Sequence, residues 1–383
     1  MTRFRTASLV AATVIVLATA ACSTAEDTAA PAAASATKDC PSGPMPQNPG
    51  GRPGGEGPPA GAAAPKIVVP VDVSTSTLLK PGTAPQIHCG RTEVVTHADV
   101  AYATVPLAGG RTGQLAMDVQ VPKTAGPKPL VVYVPGGGFM RADKGGNLPL
   151  RTFAAEAGYV VASIQYRVQP DGATYADSVS DVKAAVRYLR AHAADYEIDP
   201  GSVAVWGDSA GGYLVAMTGV TNGDKRFDVG ADLGQSSDVQ AVVVKFGASD
   251  LSQLQSDFDP ETQRAMAPLL AATAKYVNGP ASTVSLADDP AAVARANPIS
   301  YIGAGDPPFV IFHGNADTTI SPSQTLKLHN ALRAGGVDST RYVVDGAAHG
   351  DVAFTGTPEN SLQWTTQEVA GRLVDFLGRR LKR

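Results

Sequence analysis

The chemistry-bearing residues of this chain gather around Gly207-Asp208-Ser209-Ala210-Gly211. The stretch has the form G-x-S-x-G. It follows the apolar run Val203-Ala204-Val205-Trp206 and leads into residues 210–220, which can be helical. Strand, tight turn and helix would lift the Ser209 hydroxyl clear of the sheet. The flanking glycines are needed because a Cβ at either place would collide with a neighbouring element. The helix N-terminus behind the serine favours developing negative charge. That is the start of a nucleophilic acyl-transfer site. Asp208 beside it is expected to brace the turn and to point away from any base.

A serine hydroxyl is a poor nucleophile at neutral pH and needs a base, which in turn needs an orienting group. Six histidines are available. His88 and His97 come too early in the chain, His192 falls on the polar side of a helix, and His329 also falls within a helix. His313 closes an apolar run and is expected to brace the loop after it. His349 remains, in the small-residue loop Gly346-Ala347-Ala348-His349-Gly350, where an imidazole can swing toward Ser209. In the chain order serine, acid, histidine, the acid falls in His313-Gly314-Asn315-Ala316-Asp317. Asp317 is favoured over Asp345, which lies so close to His349 in sequence that pointing back at the ring is harder. Donors for an oxyanion come from Pro135-Gly136-Gly137-Gly138-Phe139: the N–H groups of Gly137 and Gly138, joined by that of Ala210. Phe139 and Tyr213 are candidate pocket walls, or packing residues.

These groups need a rigid frame. Continuous β-rich runs at 130–134, 159–164, 203–206, 239–246, 309–312 and 341–344 fit strands buried on both faces of a parallel sheet. Alternation at Leu115, Met117, Val119 and Val121, together with residues 93–105, predicts an antiparallel pair ahead of them. Helical spacing recurs at Val179, Val182, Val186 and Leu189, and again at Leu362, Thr366, Val369, Leu373 and Phe376. The alternation predicts a doubly wound, mostly parallel α/β domain over 91–383, with ligands at the carboxyl ends of the strands. Residues 250–302 interrupt the pattern and read as a lid insertion, and no internal repeat is visible.

Over about 114–376 the chain resembles an α/β-hydrolase, of the hormone-sensitive-lipase-like and bacterial feruloyl-esterase-like carboxylesterases. The likeness is carried by Gly136-Gly137-Gly138-Phe139, Gly207-Asp208-Ser209-Ala210-Gly211-Gly212, His313-Gly314-Asn315-Ala316-Asp317 and Gly346-Ala347-Ala348-His349-Gly350, with Pro307-Pro308 before the strand to His313. It implies a serine esterase without metal or other cofactor, in which Ser209 attacks, His349 moves the proton and Asp317 orients the ring. Pro135 departs from the family pattern, which has a histidine before the glycines. Proline offers neither an imidazole nor a backbone N–H, so this loop must be held by another contact.

The remaining features concern address and partners. The chain has 383 residues, 44% hydrophobic and 17% charged, enough to build a core. A net charge of -4 without an internal basic cluster argues against a nucleic-acid partner. Residues 1–22 read as an export signal: Arg3 and Arg5, an apolar stretch too short to span a bilayer, then Thr19-Ala20-Ala21-Cys22. The end resembles a bacterial lipoprotein signal, with Cys22 lipidated and the chain held to the outer face of the cell membrane by that anchor alone; Thr19 leaves plain secretion as the alternative. Residues 23–90, rich in Ala, Pro and Gly toward their start, read as a flexible tether. Cys40 and Cys89 are an even remainder that suggests a disulfide, and they are too few to hold a metal. The expected partner is a small or polysaccharide-linked ester, with oligomeric state left open. Two other readings stand beside the esterase: a deacetylase or feruloyl-type esterase on cell-wall or plant polysaccharide, and a non-catalytic binding lipoprotein of the same fold. A peptidase of related fold is less expected, since no propeller or other large gating domain is read ahead of the hydrolase region.

Overall fold

Side chains alternate across each strand, so a sheet covered on both faces must be apolar at odd and even positions alike. The run Leu130-Val131-Val132-Tyr133-Val134 shows this directly. Leu130, Val132 and Val134 enter one core, with Val179, Val182 and Leu328, while Val131 and Tyr133 enter a second, with Leu150, Leu373 and Phe376. Two cores on one sheet make a three-layer α/β/α molecule.

The computed structural model describes residues 38–41, 66–350 and 362–382. Its strands are β1 (Lys38–Asp39), β2 (Thr77–Leu79), β3 (His88–Cys89), β4 (Val94–Leu107), β5 (Arg111–Pro122), β6 (Lys128–Val134), β7 (Val160–Ile164), β8 (Ile198–Asp208), β9 (Ala241–Lys245), β10 (Phe309–Gly314) and β11 (Ser339–Val344). Nine of them form one sheet in the order β2-β11-β10-β9-β8-β6-β7-β5-β4. Pairing is antiparallel for β4 with β5 and for β5 with β7, and parallel from β7 through to β2. The predicted doubly wound sheet and its antiparallel start are both present. The helices are α1 (Leu148–Glu156), α2 (Tyr175–Ala191), α3 (Ala210–Val220), α4 (Pro260–Ala265), α5 (Ala267–Asn278), α6 (Pro290–Ala296), α7 (Ser323–Ala334) and α8 (Gln367–Leu381). Every residue of α3 is buried, which makes it the central helix behind the sheet. Helix α8 starts later than its apolar spacing suggests, because the hydroxyl of Thr366 caps the N–H of Val369 and Leu362–Thr365 forms a separate short turn.

One departure from expectation stands out. Residues 66–90, read as part of a tether, are built into the domain. β2 adds a ninth strand beside β11, and Leu79, Ile87 and Cys89 are buried. Arg341 donates to the carbonyl of Asp72 (3.2 Å) and to Ser76 Oγ (2.8 Å), and His329 Nε2 donates to the carbonyl of Thr75 (2.9 Å). The apolar positions of this segment are too sparse for periodicity to reveal; it is held by polar contacts from β11 and α7 instead. Residues 250–302 contain no strand and fold into α4, α5, α6 and short turns between β9 and β10.

A disulfide joins Cys40 to Cys89 where β1 pairs with β3. It closes a span of 49 residues. Replacing both cysteines by serine is expected to lower stability by up to about 4 kcal/mol in the chain-entropy view, read as a fall in Tm on thermal unfolding. An unchanged Tm would mean that the polar contacts of residues 66–90 hold the segment by themselves.

Candidate active site

Three chain reversals at the carboxyl ends of β8, β10 and β11 bring the predicted residues together. At the end of β8 the backbone of Ser209 sits at φ 56 and ψ −119, a conformation rare for a residue with a side chain. It is imposed by close packing on both sides. A Cβ on Gly211 would stand 1.9 Å from the carbonyl oxygen of Val134, so only glycine lets α3 approach β6 here. The Ser209 N–H donates to the carbonyl of Lys245 (3.0 Å), which ties the turn to β9.

Asp208 lies beneath the turn and points away from the histidine. Its carboxylate accepts from Trp206 Nε1 (3.0 Å), Asn147 Nδ2 (2.7 Å) and the Tyr133 hydroxyl (3.1 Å), with the Lys245 ammonium 3.6 Å away. Four groups from four segments converge on this one buried carboxylate, the bracing role expected of it.

His349 Nε2 is 2.8 Å from Ser209 Oγ, and its Nδ1 is 2.8 Å from Asp317 Oδ2. The ring packs 4.8 Å from that of Phe246, and Trp364 Nε1 donates to the carbonyl of Ala348 (3.0 Å), fixing the loop from α8's approach. Asp345 takes no part: it accepts from Asn315 Nδ2 (2.7 Å) at the surface. Asp317 is fully buried and its other oxygen accepts the N–H groups of Thr319 (2.9 Å) and Ile320 (3.0 Å). Burial alone would raise its carboxyl. The charge of His349 and the hydrogen bonds from His313 and His349 outweigh burial and hold it well below the usual carboxylate range.

That depression has a consequence for stability. A carboxyl whose folded value lies below its unfolded one stabilises the protein above the unfolded value, near pH 4. The contribution fades as pH falls toward the folded value. Stability is therefore expected to decline on acidification below about pH 4, and Asp317→Asn to flatten that decline in urea denaturation run at stepped pH. Identical acid slopes for the two proteins would contradict it.

After β6 the chain runs through Pro135 into the glycines. Gly137 is at φ +149, where an added Cβ would lie 2.2 Å from the carbonyl oxygen of Arg141, and Gly138 and Phe139 follow at φ 61 and 62. The loop is held by Tyr166, whose buried hydroxyl donates to the carbonyl of Pro135 (2.9 Å). Gln169 N–H donates to the carbonyl of Phe139 (2.8 Å) and closes the loop from the other side. Among the described residues, the N–H groups of Gly137 and Gly138 have no protein acceptor. Nothing in the sequence pointed to Tyr166, which lies 31 residues from its partner.

Phe139 stacks on Tyr276 of α5 (4.3 Å between centroids) and meets Tyr213 edge-on (5.4 Å). Tyr213 has no exposed surface and donates to the carbonyl of Ala296 (2.6 Å), so it packs the helices of 250–302 onto α3. A cavity of about 860 Å³ between β4 and α2 has no residue of this constellation in its wall, and its Arg167 is already paired with Asp177 and Asp181. Cys22 lies outside the described residues.

The sheet order, the turn carrying Ser209 and the positions of Asp317 and His349 on the last two strand ends define an α/β-hydrolase fold. The BD-FAE pattern matches residues 117–332, more than half of the chain, and the chain belongs to that family. A probable carboxylic ester hydrolase of Mycobacterium tuberculosis, LipM, is 32% identical over 209 residues, covering 54% of this chain and 46% of the relative. Esterase LipQ of the same organism is 28% identical over 254 residues, covering 65% and 55%. This chain thus spans about half the length of the curated relatives it matches. Among solved structures, a truncated carbohydrate esterase from gut microbiota superposes with a TM-score of 0.62 at 25% identity, covering 78% of this chain and all of that one.

Proposed function

We propose that the protein is a serine carboxylic ester hydrolase working through an acyl-enzyme. The observation that carries this reading is the unbroken line of hydrogen bonds Ser209 Oγ–His349 Nε2 and His349 Nδ1–Asp317 Oδ2, both 2.8 Å, beside glycine amides that have no acceptor among the described residues. His349 takes the hydroxyl proton as Ser209 attacks the ester carbonyl. The ionised Asp317 keeps Nδ1 protonated and stabilises the imidazolium. The N–H groups of Gly137, Gly138 and Ala210 receive the oxyanion, each contributing about 3 kcal/mol to the transition state. His349 then protonates the leaving alcohol, and in the second half activates the water that releases the acid. Family membership and the esterases among the relatives support the reaction class.

For the substrate, an ester borne on a carbohydrate is favoured, an acetyl or feruloyl group on polysaccharide. Its support is the carbohydrate esterase matched along its whole length. The chain is further proposed to be exported and held to the cell membrane through a lipid on Cys22. The disulfide Cys40–Cys89 fits the oxidising compartment this requires, and among the described residues no helix is long and apolar enough to cross a membrane. The test of the substrate class is a panel comparing p-nitrophenyl esters of graded acyl length with acetylated xylan and methyl ferulate. Acetate or ferulate release with the highest kcat/KM supports the carbohydrate reading; a steady rise toward long acyl chains would reject it.

A further inference from the structure

Asp317 Oδ2 has a second imidazole at hydrogen-bonding distance. His313 is fully buried at the end of β10, and its Nε2 lies 3.0 Å from Asp317 Oδ2 and 3.1 Å from the carbonyl oxygen of Ile320. Both neighbours are acceptors, so Nε2 must carry a hydrogen. On the other side of the ring, Nδ1 is 2.9 Å from Thr325 Oγ1 of α7. Arg341 of β11 donates its Nε–H to that same hydroxyl oxygen (3.0 Å). A guanidinium has no lone pair to offer, so it occupies an acceptor site of Thr325 and leaves the hydroxyl hydrogen to be given away. Nδ1 is its nearer acceptor; the carbonyl of Pro322 is at 3.3 Å. The chain of donors therefore runs Arg341 to Thr325 to His313, whose Nε2–H goes to the Ile320 carbonyl with Asp317 Oδ2 beside it.

We propose that His313 is a positioning residue for the catalytic acid: its protonated Nε2 edge lies against the Asp317 oxygen that takes the Nδ1–H of His349, and Thr325 and Arg341 fix the tautomer that puts the hydrogen on that edge. The kinetic part of the proposal rests on the esterase reading. The N–H groups of Thr319 and Ile320 bind Oδ1 and that of His349 binds Oδ2, while His313 Nε2, bonded to the Ile320 carbonyl, stands 3.0 Å from Oδ2. Three hydrogen bonds and the His313 ring beside Oδ2 hold the carboxylate against rotation away from His349. Its pull on the imidazolium is also moderated, because part of its charge is already answered by His313. The other charged groups around this cluster are engaged elsewhere. Lys245 lies 5.3 Å from the Phe246 ring and 5.1 Å from the Trp364 ring, beside Asp208, and Asp257 accepts the N–H of Ser323 (2.8 Å).

Removing the polar Nε2 edge of His313 from beside Oδ2 leaves Asp317 less neutralised, so it holds the imidazolium of His349 more tightly. The free base that attack requires then appears only at higher pH. His313→Leu is expected to move the acid limb of the kcat/KM profile upward by about half a pH unit to one unit and to lower its plateau roughly tenfold. His313→Gln, which restores an N–H near the Nε2 position, is expected to bring the limb back. A variant limb that overlays the wild type once scaled for plateau would overturn the proposal, since a purely structural role changes amplitude alone. The wild-type protein gives an independent measurement. With 15N-labelled histidine, His313 is expected to show a protonated Nε2 and a bare Nδ1 by NMR; the opposite tautomer would overturn the proposal even if the leucine variant fails to fold. Turnover that survives Ser209→Ala would sink the esterase reading and not this one, which the spectrum then decides alone.

Discussion

Ser209→Ala is expected to reduce kcat for a short p-nitrophenyl ester by about 10⁴- to 10⁶-fold, with the fold intact. The size of the loss follows from the proposed mechanism: without the hydroxyl there is no covalent step, and His349 has no proton to take. What remains is the stabilisation offered by the glycine amides, typically about 10³-fold over water. The variant should fold, because the change removes a single oxygen from a nearly buried site and relieves no packing constraint. Far-UV circular dichroism matching the wild type beside a lost rate is the expected pair of results. A rate within tenfold of wild type would leave the chain as a binding protein that kept the fold.

Asp317→Asn is the second large effect, expected to be a loss of about 10⁴-fold in kcat, against less than a few-fold for Asp345→Asn. An amide at position 317 would offer a donor where His349 needs an acceptor, favouring the tautomer in which Nε2 carries the proton and cannot accept one from Ser209. Asp345 sits four residues before His349 in sequence, yet its carboxylate is occupied by Asn315 at the surface. Kinetics of the two variants on one substrate check the assignment. Comparable losses at both positions would contradict it.

Much of this site was legible in the chain itself. Continuous apolar runs identified β6 to β11 because strands covered on both faces must be apolar throughout, and the G-x-S-x-G turn marked the start of α3. Asp317 could be chosen over Asp345 because it follows the neighbouring strand end, the place from which a carboxylate reaches across to the histidine loop. The contacts that secure those residues were not legible. Tyr166 reaches Pro135 only after β6 and β7 pair, and Thr325 meets His313 and Arg341 only once α7 covers β10 and β11. β2 was hidden for another reason. Three residues, two of them exposed, carry no periodic signal, and the segment is held by hydrogen bonds from side chains more than 250 residues away. Periodicity reports burial of apolar surface and is silent about such polar attachment.

The most direct test is covalent: react the full chain with a p-nitrophenyl alkylphosphonate and map the adduct by peptide mass spectrometry. One adduct per chain on Ser209, absent when His349 is replaced by alanine, is the result the proposed chemistry predicts. No adduct, or an adduct on another residue that His349→Ala leaves unchanged, would contradict it.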